Sequence, residues 1–129
     1  MQWNLEVVPV CVSDVDRGKR FYAEQVGFRV DLDQWVSDDH RIVQLTPIGS
    51  GASIQLKRGE TRLDGLQLVV TDVDAARAEL AERGVDVSLV MHFEDGAPVE
   101  GRGEDWNSFL FFADPDGNAW VVQERPAAS

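Results

Sequence analysis

Two stretches of the chain carry the same order of apolar and polar positions. VSDVDRGKRFYAEQVGFRV (12–30) matches VTDVDAARAELAERGVDVS (70–88) at an offset of 58 positions, pairing Val12 with Val70, Asp14 with Asp72, Val15 with Val73, Asp16 with Asp74 and Glu24 with Glu82. A one-residue deletion then brings Gly27 onto Gly84. Self-similarity at a fixed offset marks a duplicated supersecondary unit. Each copy opens on an apolar, β-branched run, LEVVPVCV (5–12) and GLQLVV (65–70), as a strand requires. Asp14 and Asp72 follow at the place of a helix N-cap, where a short side-chain oxygen accepts from an unpaired backbone N–H. In the second copy Val73, Ala76, Leu80 and Ala81 fall near one face of a 3.6-residue period, with Arg77, Glu79, Glu82 and Arg83 largely on the other. Gly27 and Gly84 end the helices, because glycine takes up the left-handed conformation of a C-cap freely.

After each helix the pattern returns to strands. FRVDLDQWV, RIVQLTP and ASIQLKR follow the first helix, and VDVSLVMHF, SFLFFAD and AWVVQER the second, with PIGSG and DPDGN supplying turns. The predicted order is βαβββ twice, an α+β fold with units at about 1–60 and 61–126 of a single domain (1–126). The Gly-rich, charged segment 93–107 reads equally as a mobile lid or a plain surface loop. The tail 127–129 is expected to fray.

Composition narrows the function classes. A chain of 129 residues with 43% hydrophobic and 27% charged residues can hold a core without a disulfide or structural metal. The single cysteine, Cys11, lies in an apolar run and reads as a small buried hydrophobe in a reducing compartment. The N-terminus has no signal-peptide pattern and no segment approaches a membrane span, so a cytoplasmic protein without a membrane partner is expected. A net charge of -11 repels phosphate backbones, which argues against nucleic acid.

The paired βαβββ units, the FYAEQVGF stretch and the DPDGN turn leading to a strand that ends in QE together resemble the vicinal oxygen chelate superfamily, which includes the glyoxalases, bleomycin-resistance proteins and extradiol dioxygenases. The resemblance spans residues 5–124. It implies an open, curled mixed sheet around a pocket with the helices outside, and a homodimer. In metal-dependent members of that family each unit provides one ligand from its first strand and one from its last. Carried over, those positions are Val7, Gln55, Gly65 and Val121. Valine and glycine side chains offer no lone pair and one amide oxygen does not hold a divalent ion, so no metal and no cofactor are expected.

If those four positions face the pocket, alternation sends Pro9, Gln67 and Gln123 the same way and turns Val8, Val10, Val12, Leu66, Leu68 and Val70 toward the helices. Glutamines facing inward need partners: a ligand, water or one another. Trp35, Trp106, Phe109, Phe111 and His92 fall where the family lines its cavity, whereas Trp120 and Phe21 read as core and Tyr22 as helix packing. The expected ligand-binding set is Gln55, Gln67, Gln123, Val7, Val121, His92, Trp106, Phe109 and Phe111. Apolar and aromatic walls with a few amides suit a flat or moderately polar organic molecule. His40 reads as a surface residue. No nucleophile–base pair or carboxylate pair is visible, and His92 is the one candidate acid or base. The expectation is a metal-free protein binding a small aromatic or hydrophobic molecule, as drug-sequestering resistance proteins do. The alternatives are a metal-independent isomerase or lyase, a glyoxalase-like metalloenzyme with other ligands, and a partner protein without a small ligand.

Overall fold

The computed structural model describes residues 1–127. Residues 128 and 129 of the expected frayed tail lie outside them. The chain divides into two compact units, Met1–Arg62 and Leu63–Ser129.

The first unit runs β1 (Val7–Val12), α1 (Val15–Arg20), β2 (Arg29–Ser37), β3 (His40–Thr46) and β4 (Ser53–Arg58). A π-helical turn, Phe21–Val26, extends α1. Asp14 caps α1 by accepting from the Arg17 N–H at 3.1 Å, and Gly27 ends the helical segment at φ 93°. The strands order as β1-β4-β3-β2, with β1 parallel to β4 and the other pairs antiparallel. Alternation puts Val10, Val12, Val43, Leu45, Ile54 and Leu56 on one face, all at or below 4% exposure. Tyr22 is fully buried, stacked on Phe28 at 5.7 Å and edge-on to Phe21 at 5.2 Å. Gly18 lets α1 approach closely, since a Cβ there would lie 3.2 Å from Leu56 Cδ1. Burying one such side chain stabilises by about 1.5–3 kcal/mol, more than an exposed ion pair contributes, so the apolar face decides where the helix lies. The first strand begins later than its apolar run: Leu5 is 71% exposed, and the ladder to β4 begins at Val7 opposite Ser53.

The second unit runs β5 (Asp64–Val70), α2 (Val73–Glu82), β6 (Met91–Glu94), β7 (Ala97–Glu100), β8 (Phe109–Ala113) and β9 (Ala119–Glu124), with the sheet ordered β5-β9-β8-β6-β7. Asp72 caps α2 through the Ala75 N–H at 3.0 Å, and Glu124 of β9 accepts from the Val73 N–H at 3.0 Å. The core is Val73, Leu80, Val85, Val90, Leu110, Phe112, Trp120 and Val122, with the Phe112 and Trp120 rings parallel at 6.0 Å.

Two expectations are corrected here. The run VDVSLVMHF (85–93) is a strand only from Met91 onward. The segment expected to be a lid or a plain loop holds a hairpin, β6–β7, turned by Asp95 at φ 51° and Gly96 at φ 79°. Two consecutive positive φ values make the tight turn that matches strand twist. The second unit therefore has one strand more than βαβββ. In the DPDGN turn, Asp114 Oδ1 accepts from the N–H groups of Asp116 and Asn118, each at 2.9 Å, and Asn118 Oδ1 accepts from the Leu63 N–H at 2.8 Å. The turn thereby ties the β8–β9 connection to the start of β5. No helix among the described residues is long and apolar enough to cross a membrane.

Candidate functional site

Each sheet has a helix-covered face and an open one. On the first sheet's open face Val7 is paired with Ser53, and Gln55 lies between Pro9 and Gln44 in the ladder. The Gln55 amide donates from Nε2 to Gln44 Oε1 at 2.9 Å. At the edge of this face Thr46 donates to Asp31 and shares a 2.6 Å bond with Ser53, while Arg29 pairs with Asp31 at 2.9 Å; these contacts lower the Asp31 pKa, the Thr46 bond most. Gln44 was not among the expected site residues, although strand alternation from Gln55 and its neighbours could have found it.

The second sheet's open face carries the larger part of the expected set. Gln67, Val121 and Phe111 form one cross-strand row, and Gln123, Phe109 and Met91 the next. Phe93, two residues beyond Met91, joins this face: its ring lies 5.3 Å from Phe109 and 6.4 Å from Phe111, both edge-on, while Phe109 and Phe111 stack at 6.5 Å. Offset and edge-on arrangements of this kind add about 0.5–1.5 kcal/mol per pair beyond buried area. Gln67 Nε2 donates to Gln123 Oε1 at 2.6 Å, and Gln123 Nε2 donates to the Trp106 backbone carbonyl at 2.7 Å. Phe93 is a second residue that sequence reasoning missed. Its signal was alternation with Met91, visible once β6 is registered on β8.

Trp106 stands at φ 65°, a region bulky residues rarely enter, with its side chain 49% exposed. The surrounding segment is fastened on several sides. The Asn107 amide accepts from the Phe93 N–H at 2.9 Å and donates to the Phe93 carbonyl at 3.0 Å. Ser108 Oγ accepts from the Gly103 N–H at 3.1 Å, and Arg102 bonds both Asp74, at 2.8 Å, and Glu124. The guanidinium of Arg102 and the Val73 N–H hold the Glu124 carboxyl below its ordinary pKa. The segment thus presents the Trp106 carbonyl to Gln123 from a braced loop.

His92 is not brought together with the phenylalanines. It alternates with Met91 and Phe93 and so projects from the opposite face of β6. There Nδ1 lies 2.8 Å from the Gly101 carbonyl and Nε2 lies 3.2 Å from Glu94. Both partners only accept, so the doubly protonated ring satisfies both and the His92 pKa is raised, the Gly101 bond contributing most. Trp35 likewise stands apart, paired across the ladder with Arg41, whose guanidinium lies 5.8 Å from the Trp35 ring centre.

A cleft of about 830 Å³ lies in the first unit beside the first turn of α1 and the β2–β3 hairpin, and of the residues expected to line the cavity it contains Trp35 alone. Its principal cation is already engaged, with Arg41 bonded to Asp33 and Asp16, each at 2.8 Å, and Lys19 to Asp33 at 2.6 Å. That pairing holds the Asp33 carboxyl far below the usual range. The open sheet faces, not this cleft, carry the clustered phenylalanine rings and the glutamines.

The family model of the Glyoxalase/Bleomycin resistance protein/Dioxygenase superfamily matches residues 4–122. The chain belongs to this superfamily. Among solved structures, TnmS3, an antibiotic binding protein from Streptomyces sp. CB03234, is 31% identical, covers 96% of this chain and 97% of its own, and superposes with a TM-score of 0.76. A glyoxalase/bleomycin resistance protein from the same organism is 32% identical over 93% of this chain and 99% of its own, with a TM-score of 0.72. The uncharacterized protein YetH of Bacillus subtilis (strain 168) is 22% identical over 127 residues, which cover 94% of this chain and 98% of that protein.

The resemblance puts the ligand positions of metal-dependent members at Val7, Gln55, Gly65 and Val121, and these residues do not fit a metal: two valines and a glycine offer no donor, and one amide oxygen does not hold a divalent ion. Among the described residues no group of three or more His, Cys, Asp and Glu comes together to hold a metal ion elsewhere.

Proposed function

We propose that this glyoxalase/bleomycin-resistance-like protein binds a small aromatic or hydrophobic organic molecule without a metal, in the manner of an antibiotic-sequestering protein. The observation that carries the reading is the open face of the second sheet: Phe93, Phe109 and Phe111 in mutual ring contact, Val121 beside them, and Gln67 and Gln123 at the edge. On its own sheet the first unit likewise presents an apolar and an amide side chain, Val7 and Gln55. The likeness to TnmS3, an antibiotic binding protein, supports it. His92 does not favour catalysis, because both ring nitrogens are engaged, by the Gly101 carbonyl and by Glu94, and the side chain projects from the face of β6 opposite the phenylalanines. The protein acts as a homodimer in the cytoplasm, where Cys11 stays reduced.

Titration calorimetry and tryptophan fluorescence against polyketide, glycopeptide and flavin-like compounds test the reading. Saturable binding by a polycyclic aromatic member is expected, and Phe109→Ala should weaken it about tenfold, the equivalent of losing one aromatic contact. Uniform absence of binding across the panel would refute it.

A further inference from the structure

The amides at the edge of the second sheet's open face are arranged with a direction. A backbone carbonyl can only accept, so the Trp106 oxygen obliges Gln123 to turn its NH2 group toward it, at 2.7 Å. That orientation turns Gln123 Oε1 toward Gln67, which must then donate from Nε2, as it does at 2.6 Å. The bonds run from Gln67 to Gln123 to Trp106, and the far end is Gln67 Oε1, which accepts no hydrogen bond among the described residues. Amides bonded in series polarise one another. Each donated N–H pushes electron density onto its own carbonyl, so the oxygen at the start of the chain becomes the stronger acceptor. Gln67 lies on the exposed β5 face directly beside Val121, which in turn pairs with Phe111. The net charge of -11 adds a field that opposes anions.

We infer that Gln67 Oε1 is a specificity-determining acceptor: among flat aromatic ligands it selects those bearing a hydroxyl or N–H at the ring edge, over the corresponding ethers and carboxylates. The inference rests on the binding function proposed above and names its ligand class. Trp106, held at φ 65° by the braced loop, sets the polarity of the chain through its carbonyl and acts as a positioning residue.

Three probes separate the possibilities: flavone, 6-hydroxyflavone and 6-methoxyflavone, titrated into the wild-type protein, Gln67→Met and Gln123→Met. The wild type should bind 6-hydroxyflavone about tenfold more tightly than the other two, the ratio expected of one neutral hydrogen bond. Gln67→Met should abolish that preference, with 6-hydroxyflavone falling to the affinity that flavone and 6-methoxyflavone show for the same variant. Gln123→Met should reduce the preference in part, since it breaks the relay but leaves the acceptor in place. Equal binding of the three by the wild type, or a preference that survives Gln67→Met, overturns the inference and leaves the binding function standing. Failure of all three to bind the wild type overturns the inference, and the binding function falls with it only where the polyketide, glycopeptide and flavin-like panel also fails to bind.

Discussion

A single titrating side chain bears on how the braced loop is held. His92 links β6 to the Gly101 carbonyl and the Glu94 carboxylate, and both contacts are strongest when the ring is charged. Its pKa is therefore raised above the ordinary 6.5. The stability this contributes is fully present below the unfolded pKa and is lost as the pH rises through the higher folded value. The melting temperature of the wild type should exceed that of His92→Gln by most at pH 5.5, and the gap should narrow by pH 9. A gap that is constant or widens over that range would show that the imidazole serves only to fill space. Glu94 is 64% exposed, so added salt should shrink the acid-side gap without erasing it, because the bond to Gly101 is less sensitive to screening.

At the level of elements, the β6–β7 hairpin and the β3–β4 connection offer a clean comparison between two glycines. Gly96 is at φ 79° and Gly51 is not at positive φ, and neither has an atom within 4 Å of a would-be Cβ. No clash arises at either site, so an alanine reports backbone conformation alone. Gly96→Ala should cost about 1 kcal/mol and Gly51→Ala should be neutral or stabilise by about 0.4–1 kcal/mol, read from urea midpoints. Equal effects would mean that the turn does not need its left-handed residues. The same hairpin shows where sequence reading stopped. Asp14, Asp72, Gly27 and Gly84 were legible because a helix cap depends on a few neighbouring residues, and the structure has the caps at φ −136° and −148° and the glycines at φ 93° and 84°. The Asp95-Gly96 pair was an equally local turn signal, yet the apolar run before it suggested one long strand. Facing was harder. A slip of one residue sends a side chain to the other side of a sheet. Only the pairing of Met91 with Phe109, far apart in sequence, places Phe93 with the phenylalanines and His92 against them. The strained Trp106 had no sequence signature, because its φ is imposed by Asn107, Ser108 and Arg102 rather than by its own preference.

For the molecule as a whole, charge and exposed apolar surface act against one another. Trp3, Leu5, Trp35, Ile48, Val69 and Trp106 are each at least 48% exposed and offer apolar surface that association would remove from water. Burial of such surface drives association. A net charge of -11 on each copy opposes it over a distance that ionic strength controls, with a screening length of about 30 Å at 0.01 M salt and 8 Å at 0.15 M. The proposed homodimer should therefore tighten as salt is added, the reverse of an interface built on opposite charges. Light scattering after size exclusion should give a mass near twice the 14.3 kDa of one chain at 0.15 M salt, with dissociation on dilution at 0.01 M. Bringing the pH toward the isoelectric point of about 4.4 removes the same repulsion and should act in the same direction as salt, short of precipitation. A mass of one chain at 0.1 mM protein in both salts would refute the dimer. A dimer that weakens with salt would place ion pairs rather than the apolar residues at its interface.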